Sequence, residues 1–368
     1  MDLRNALLRV AARRPHVLII GGIGTDRLRA RVEHEVDRRH WTNAMAPADT
    51  DVLVVIGHPG PELRAVVDDV WATVPAPRAR LDVRNEHEVT TALDDAVTVL
   101  QDLPAQRAGA PRDGLRWDRP SDPSGAHDHH DAHDDDTSHE QDTGHEDHDG
   151  GHHHGGDMEL PGGLAMADLG EDRDGLALDQ LHVPLGPVLP EWPSGLVVDV
   201  VLQGDVIHEA RSRFVDLDDL DATERLPDAA RALDSAARVL ALACWEGPSA
   251  RARGLRDALL FGGSSTARVL EELDDLRRRV RRSRLLRWML RSGEAGRSEL
   301  LEALDDKLLS ARAAAAGGGG EAPVAIDLAA LDARLVGAEF AAARLIVAVA
   351  DPLPQPARTR PTEQEGAS

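Results

Sequence analysis

Residues 126–157 read AHDHHDAHDDDTSHEQDTGHEDHDGGHHHGGD, with no apolar side chain larger than alanine. A segment with nothing to bury cannot offset the conformational entropy lost on folding. The sequence therefore predicts a disordered linker here, with a folded part on either side. The stretch holds ten of the seventeen histidines, His127, His129, His130, His133, His139, His145, His148, His152, His153 and His154. Eleven carboxylates and no Lys or Arg stand among them. Neutral imidazole suits Zn, Ni and Cu, and tracts of this composition bind divalent metal. No tetrahedral ligand spacing is present, and an acidic linker with idle histidines would have the same composition.

A chain of 368 residues has room for two ordinary domains besides the linker. About half of the formal charge of -23 lies in the Asp/His stretch. The remainder is mildly acidic, which argues against a nucleic-acid partner. The single cysteine, Cys244, excludes an internal disulfide and a cluster held by four thiolates of this chain. It is expected on the apolar side of a helix, as inert filling. Residues 1–14 form a short amphipathic opening without the apolar core of a signal peptide. No run is long enough for a membrane helix. The expected location is the cytoplasm, with peripheral contact at the inner face of the membrane as a further expectation.

Residues 16–24 read as a buried parallel strand running into a glycine turn, with a helix from a Thr25 cap to His40. Residues 51–57 form the next strand, 62–73 a helix, 79–83 a third strand and 86–100 a third helix. Such alternation predicts a doubly wound, flavodoxin-like α/β domain over residues 1–103. Gly22 and Gly24 invite a dinucleotide reading, but Arg27 stands where the third glycine would fall, so close backbone packing explains them better. The linker covers residues 104–157. Residues 158–351 form an α+β domain, a small antiparallel β unit plus a helical bundle, and 352–368 a disordered tail. The β unit is a hairpin of residues 196–202 and 206–215 after a turn-rich stretch. The helices start at Pro227, at Ser249 beyond a break at Gly247-Pro248, near Ser265 and at Ile326. Asp274 and Asp275 precede Arg278 and Arg279 by four residues, favouring ion pairs along the helix. Residues 277–291 are strongly basic, with Leu285, Leu286, Trp288 and Met289 interleaved. That run could meet anionic lipid or an acidic partner, although such runs are more often a solvated face.

Two stretches in each half carry a family likeness. Ala46-Pro47-Ala48-Asp49-Thr50-Asp51, running into the strand that ends at Gly57, and Val74-Pro75-Ala76-Pro77-Arg78 resemble the small, cluster-bearing subunit shared by respiratory complex I and nickel–iron hydrogenases. Val183-Pro184-Leu185-Gly186-Pro187-Val188-Leu189-Pro190 and Leu202-Gln203-Gly204-Asp205-Val206-Ile207 resemble the large, quinone-site subunit of complex I, a relative of the hydrogenase large subunit. The resemblance covers about two thirds of the chain and implies a fusion of both subunits. The family's cluster cysteines would follow the first strand, where this chain has Gly21-Gly22-Ile23-Gly24-Thr25-Asp26. Leu189 occupies the position of the quinone-site histidine, and the chain has no tyrosine. What the resemblance implies is a degenerate copy that keeps the fold without the redox centres.

Three functions follow as expectations. The first is a non-catalytic accessory protein of a complex I-like or hydrogenase-like assembly, with no catalytic residue and no iron–sulfur, flavin or nucleotide cofactor. The second is a metal-handling protein for Ni or Zn, similar to nickel-insertion accessory proteins, acting through the ten histidines. The third is an oxidoreductase subunit whose redox centre comes from partner chains.

Overall fold

The structure is a computed structural model that describes residues 12–109, 168–171, 177–217, 225–290, 299–318 and 327–354. The ten tract histidines lie outside the described residues. So do the chain before residue 12, residues 158–166, Gly319, Gly320, Ile326 and the tail beyond residue 354.

Residues 17–20 and 52–56 are almost purely Val, Leu and Ile, a composition that suits strands covered on both faces. They form the centre of a parallel sheet, as β1 (His16–Gly21) and β3 (Val52–Ile56). The first helix, α1, is Asp26–Arg38. A two-residue strand β2 (Thr42–Asn43) and β4 (Ala79–Val83) complete the sheet in the order β2-β1-β3-β4. Helices α2 (Pro61–Thr73) and α3 (Val89–Gln101) follow β3 and β4, and α4 (Leu103–Gly109) follows α3. Val32 and Val36 of α1 pack with Val89, Leu93 and Ala96 of α3 on one face of the sheet. Leu63 and Val67 of α2 cover the other, over Leu18, Ile20, Leu53 and Val55. The expected alternation is present, with one strand more than expected and with helix α4 where the linker was expected to begin. Thr25 is not a side-chain cap; its hydroxyl donates to the Gly22 carbonyl at 2.8 Å and tightens the loop.

The second half contributes β5 (Asp168–Glu171), β6 (Ala177–Leu185), β7 (Leu196–Gln203) and β8 (Val206–Phe214), in that order. β6, β7 and β8 pair antiparallel. The expected hairpin is β7–β8, and β6 joins it from the stretch read as turns. Helices α5 (Asp228–Leu242), α6 (Glu246–Phe261), α7 (Thr266–Arg282), α8 (Arg284–Met289) and α9 (Glu299–Ala315) pack around one core. Leu233, Val239, Leu240, Leu255, Leu273 and Leu304 are at its centre.

Three helix readings need correction. Gly247-Pro248 does not break a helix but sits in the first turn of α6, where a missing N–H costs nothing. The break comes earlier, at Cys244, which has a φ of 54° and is exposed rather than buried. Ser249 is no cap; its hydroxyl donates to the Ala237 carbonyl at 2.8 Å and clips α6 to α5. The last helix is two, α10 (Leu328–Leu335) and α11 (Phe340–Ala350). Gly337, at φ 82°, turns the chain between them. There the Ile207 N–H donates to Ala338 and the Gly337 N–H to Ile207, at 2.9 and 2.8 Å. Asp332 accepts from the Ser212 N–H at 2.8 Å. These bonds cover the free edge of β8, which would otherwise template pairing with another chain.

Apart from Asp168 and Leu169, the described residues belong to one compact unit that takes in both halves. Val197 and Val215 of the second half complete the apolar cluster of Leu18, Leu53, Val55, Leu63 and Val67 in the first.

Candidate functional site

In an open parallel sheet, ligands bind beyond the carboxyl ends of the strands. Here the loops beyond the neighbouring strands β1 and β3 are residues 22–25 and 57–60. The second half packs against both loops. The Asp216 carboxylate accepts from the N–H groups of Glu62 and Leu63 at 3.1 and 2.9 Å. It occupies the N-terminus of α2, the place where a parallel α/β domain holds an anionic ligand. Gly60 has no room for a Cβ because Asp216 stands against it. Gly195 (φ 73°) meets the other loop, and a Cβ there would lie 2.7 Å from Ile23 Cγ1. The Ser194 hydroxyl donates to Asp26 at 3.4 Å. The Trp192 indole N–H donates to the Leu196 carbonyl at 2.8 Å and fixes the turn that carries Ser194 and Gly195.

Behind this contact a network of ion pairs joins α1 to α5 and α6. Arg256, with no exposed surface, places Nη1 2.6 Å from both Glu33 and Asp234. Its Nε donates to Asp257 at 2.8 Å. Arg29 reaches Asp234 at 2.7 Å and Glu33 at 2.6 Å. His34 Nδ1 lies 3.1 Å from Asp257. Arg238 bonds Asp234 and reaches Asp351 at 3.1 Å, where Arg231 also pairs at 3.2 Å. Arg253 pairs with Glu191.

Burial would raise the carboxyl of Glu33, but the Arg29 and Arg256 guanidiniums overcome it and hold the pKa at about 2. Burial also opposes the Asp234 charge, which Arg29, Arg238 and Arg256 stabilise until its pKa is well below the ordinary value. Asp257 is raised by burial despite Arg256. Asp26 also lies 3.5 Å from Arg29, so five arginines face six carboxylates and nearly all of the buried charge is paired within the protein.

A cavity of about 160 Å³ remains between the halves, lined among others by Gly24, Asp26, Ser194, Arg231 and Asp351. It is smaller than most ligand pockets, which are usually about 300 Å³ or larger. Pro352, Leu353 and Pro354, expected in a disordered tail, also line it.

The loop where the resemblance places the cluster cysteines is thus a packing surface for the second half. Leu189, at the position of the family's histidine, packs with the apolar cluster of the second sheet. Among the described residues no group of three or more His, Cys, Asp or Glu could hold a metal ion. The structure adds Asp216, Arg256, Asp234, Glu33 and Arg29, none of which was singled out in the sequence. The available signal was a charge on the apolar stripe of a helix: Asp234 stands between Ala230 and Ala237, and Arg256 between Ala252 and Leu259. Comparison with protein-family models, with curated proteins and with solved structures finds no match.

Proposed function

We propose that this chain is a non-catalytic accessory protein of a complex I-like or hydrogenase-like assembly, acting in the cytoplasm. It would be a fused, degenerate copy of the small and large subunits, with the inherited subunit interface turned inward and the first half keeping the family's doubly wound winding. The observation that supports a structural role is the packing of the second half at this crevice: Asp216 and Gly195 stand where a ligand of the first sheet would bind. The sequence resemblance supplies the identity of the assembly. The test is affinity purification of the tagged full chain under mild conditions. Stoichiometric recovery with the iron–sulfur or quinone-site subunits of such an assembly is expected, and recovery as a free monomer would count against it.

A second reading is supported by the ten tract histidines. Delivery or storage of Ni or Zn would use several weak sites that empty as pH falls through about 6, where imidazole protonates. Titration calorimetry with each metal would compare the full chain with one lacking residues 127–154. Equal uptake by the two would end that reading.

A further inference from the structure

The end of the helical bundle formed by α7 and α8 presents charge and apolar surface together. From Leu276 to Leu290 the sequence has seven arginines and no acid. Leu286 and Leu290 are buried in the bundle core and fix α8 in place. Leu285, Trp288 and Met289, at i, i+3 and i+4, then point outward with 64%, 69% and 39% of their surface exposed. No other large apolar side chain among the described residues is as exposed as Trp288. Arg281, Arg282, Arg284 and Arg287 surround this triad and are all exposed. Two open grooves of about 450 and 480 Å³ lie along the last turns of α7, the first lined by Trp245, Arg278, Arg279 and Arg282 and the second by Arg277, Arg278, Arg281 and Arg282. The acids at their rims are engaged, Asp274 with Arg312 and Asp275 with Arg278.

We infer that this face docks on an anionic lipid bilayer, with Leu285, Trp288 and Met289 entering the interface and the surrounding arginines meeting lipid phosphates. The charge complementarity is local. The chain is acidic overall, but charges more than about 8 Å from the contact are screened at physiological ionic strength. An amphipathic end with Trp and Leu on one side and Arg on the other is the pattern that partitions into headgroups. A protein partner would need a pocket shaped for an outward-pointing Trp, whereas a bilayer yields to it.

The experiment is co-sedimentation of the full chain with vesicles of phosphatidylcholine alone and of phosphatidylcholine mixed with phosphatidylserine. Binding is expected only to the anionic vesicles, and weaker at high salt. Each arginine near an anionic surface contributes about fivefold, so R281Q/R282Q/R284Q should lower partitioning roughly a hundredfold. Trp288→Ala should lower it on the order of tenfold. The triple lysine variant should keep most of the binding, because a diffuse surface charge does not depend on guanidinium geometry. All the altered positions are exposed, and an unchanged melting temperature will show that the variants fold. A chain that stays in the supernatant with both vesicle types overturns the proposal and leaves the face to an acidic protein. A lysine variant as impaired as the glutamine one overturns it too.

Discussion

Arg256 sets the energetics of the contact between α1, α5 and α6. Its guanidinium is wholly buried and satisfies Glu33, Asp234 and Asp257 together. Truncating one member of a buried charge network strands the others without solvent, at a cost of about 3–5 kcal/mol. Arg256→Met should therefore lower the urea midpoint by that equivalent, far more than Arg268→Met on the exposed face of α7. The same network dictates a pH dependence. The pKa of Glu33 is about 2 in the fold against an ordinary 4.5, so its ionised form favours the folded state. The stabilisation is complete above pH 4.5 and is lost as pH falls toward 2. Asp234 works in the same direction; Asp257, whose pKa burial raises, works against it. Stability measured by denaturant titration should fall through that acid window. Glu33→Gln should reduce the slope there, and an unchanged slope would show that Glu33 is not strongly coupled in the fold. A charge on an apolar helix stripe was the only sign of these roles in the sequence, and it named no partner. Salt bridges of this kind form between residues as far apart as Glu33 and Arg256, and local periodicity gives no sign of which charges will meet.

The elements were legible where the chain had a strong local pattern. β1 and β3 stand out as β-branched runs, and α7 as a helix beginning near Ser265; the structure adds that the Ser265 hydroxyl caps it, accepting from the Arg268 N–H. β2 could not be seen, because two polar residues at a sheet edge carry no alternation. β6 was hidden by Pro184, which normally argues against a strand with neighbours on both sides. The ion pairs expected along α7 form differently. Asp274 bonds Arg312 of α9 at 2.7 Å, while Asp275 takes Arg278 three residues on. At the N-terminus of α2 the partner of the free N–H groups comes from the other half of the chain. Asp216→Ala would leave the Glu62 and Leu63 amides without an acceptor, and losing such a cap costs about 1–2 kcal/mol. Hydrogen exchange should show those two amides losing protection while β4 keeps its own. Retained protection at both would mean that the carboxylate does not cap α2.

At the scale of the molecule, the resemblance implies that the two halves pack on each other through a subunit interface, but the sequence did not show which residues would meet. The cluster of Leu18, Leu53, Leu63 and Val67 is closed by Val197 and Val215 of the second half. Which faces meet depends on shape and charge across distant segments, and hydropathy patterning is blind to that. A core with members from both halves, backed by the Arg256 network, cannot be opened on one side without exposing apolar surface and unpaired charge on the other. The halves should therefore unfold together. In native-state hydrogen exchange, the most protected amides of β3 and β7 should report one opening free energy with one dependence on denaturant. Two separate values, with β7 exchanging while β3 stays protected, would mean that the halves are independent domains touching at a weak interface. The crevice would then be an opening that a ligand could enter, and the structural role proposed for the chain would lose its support.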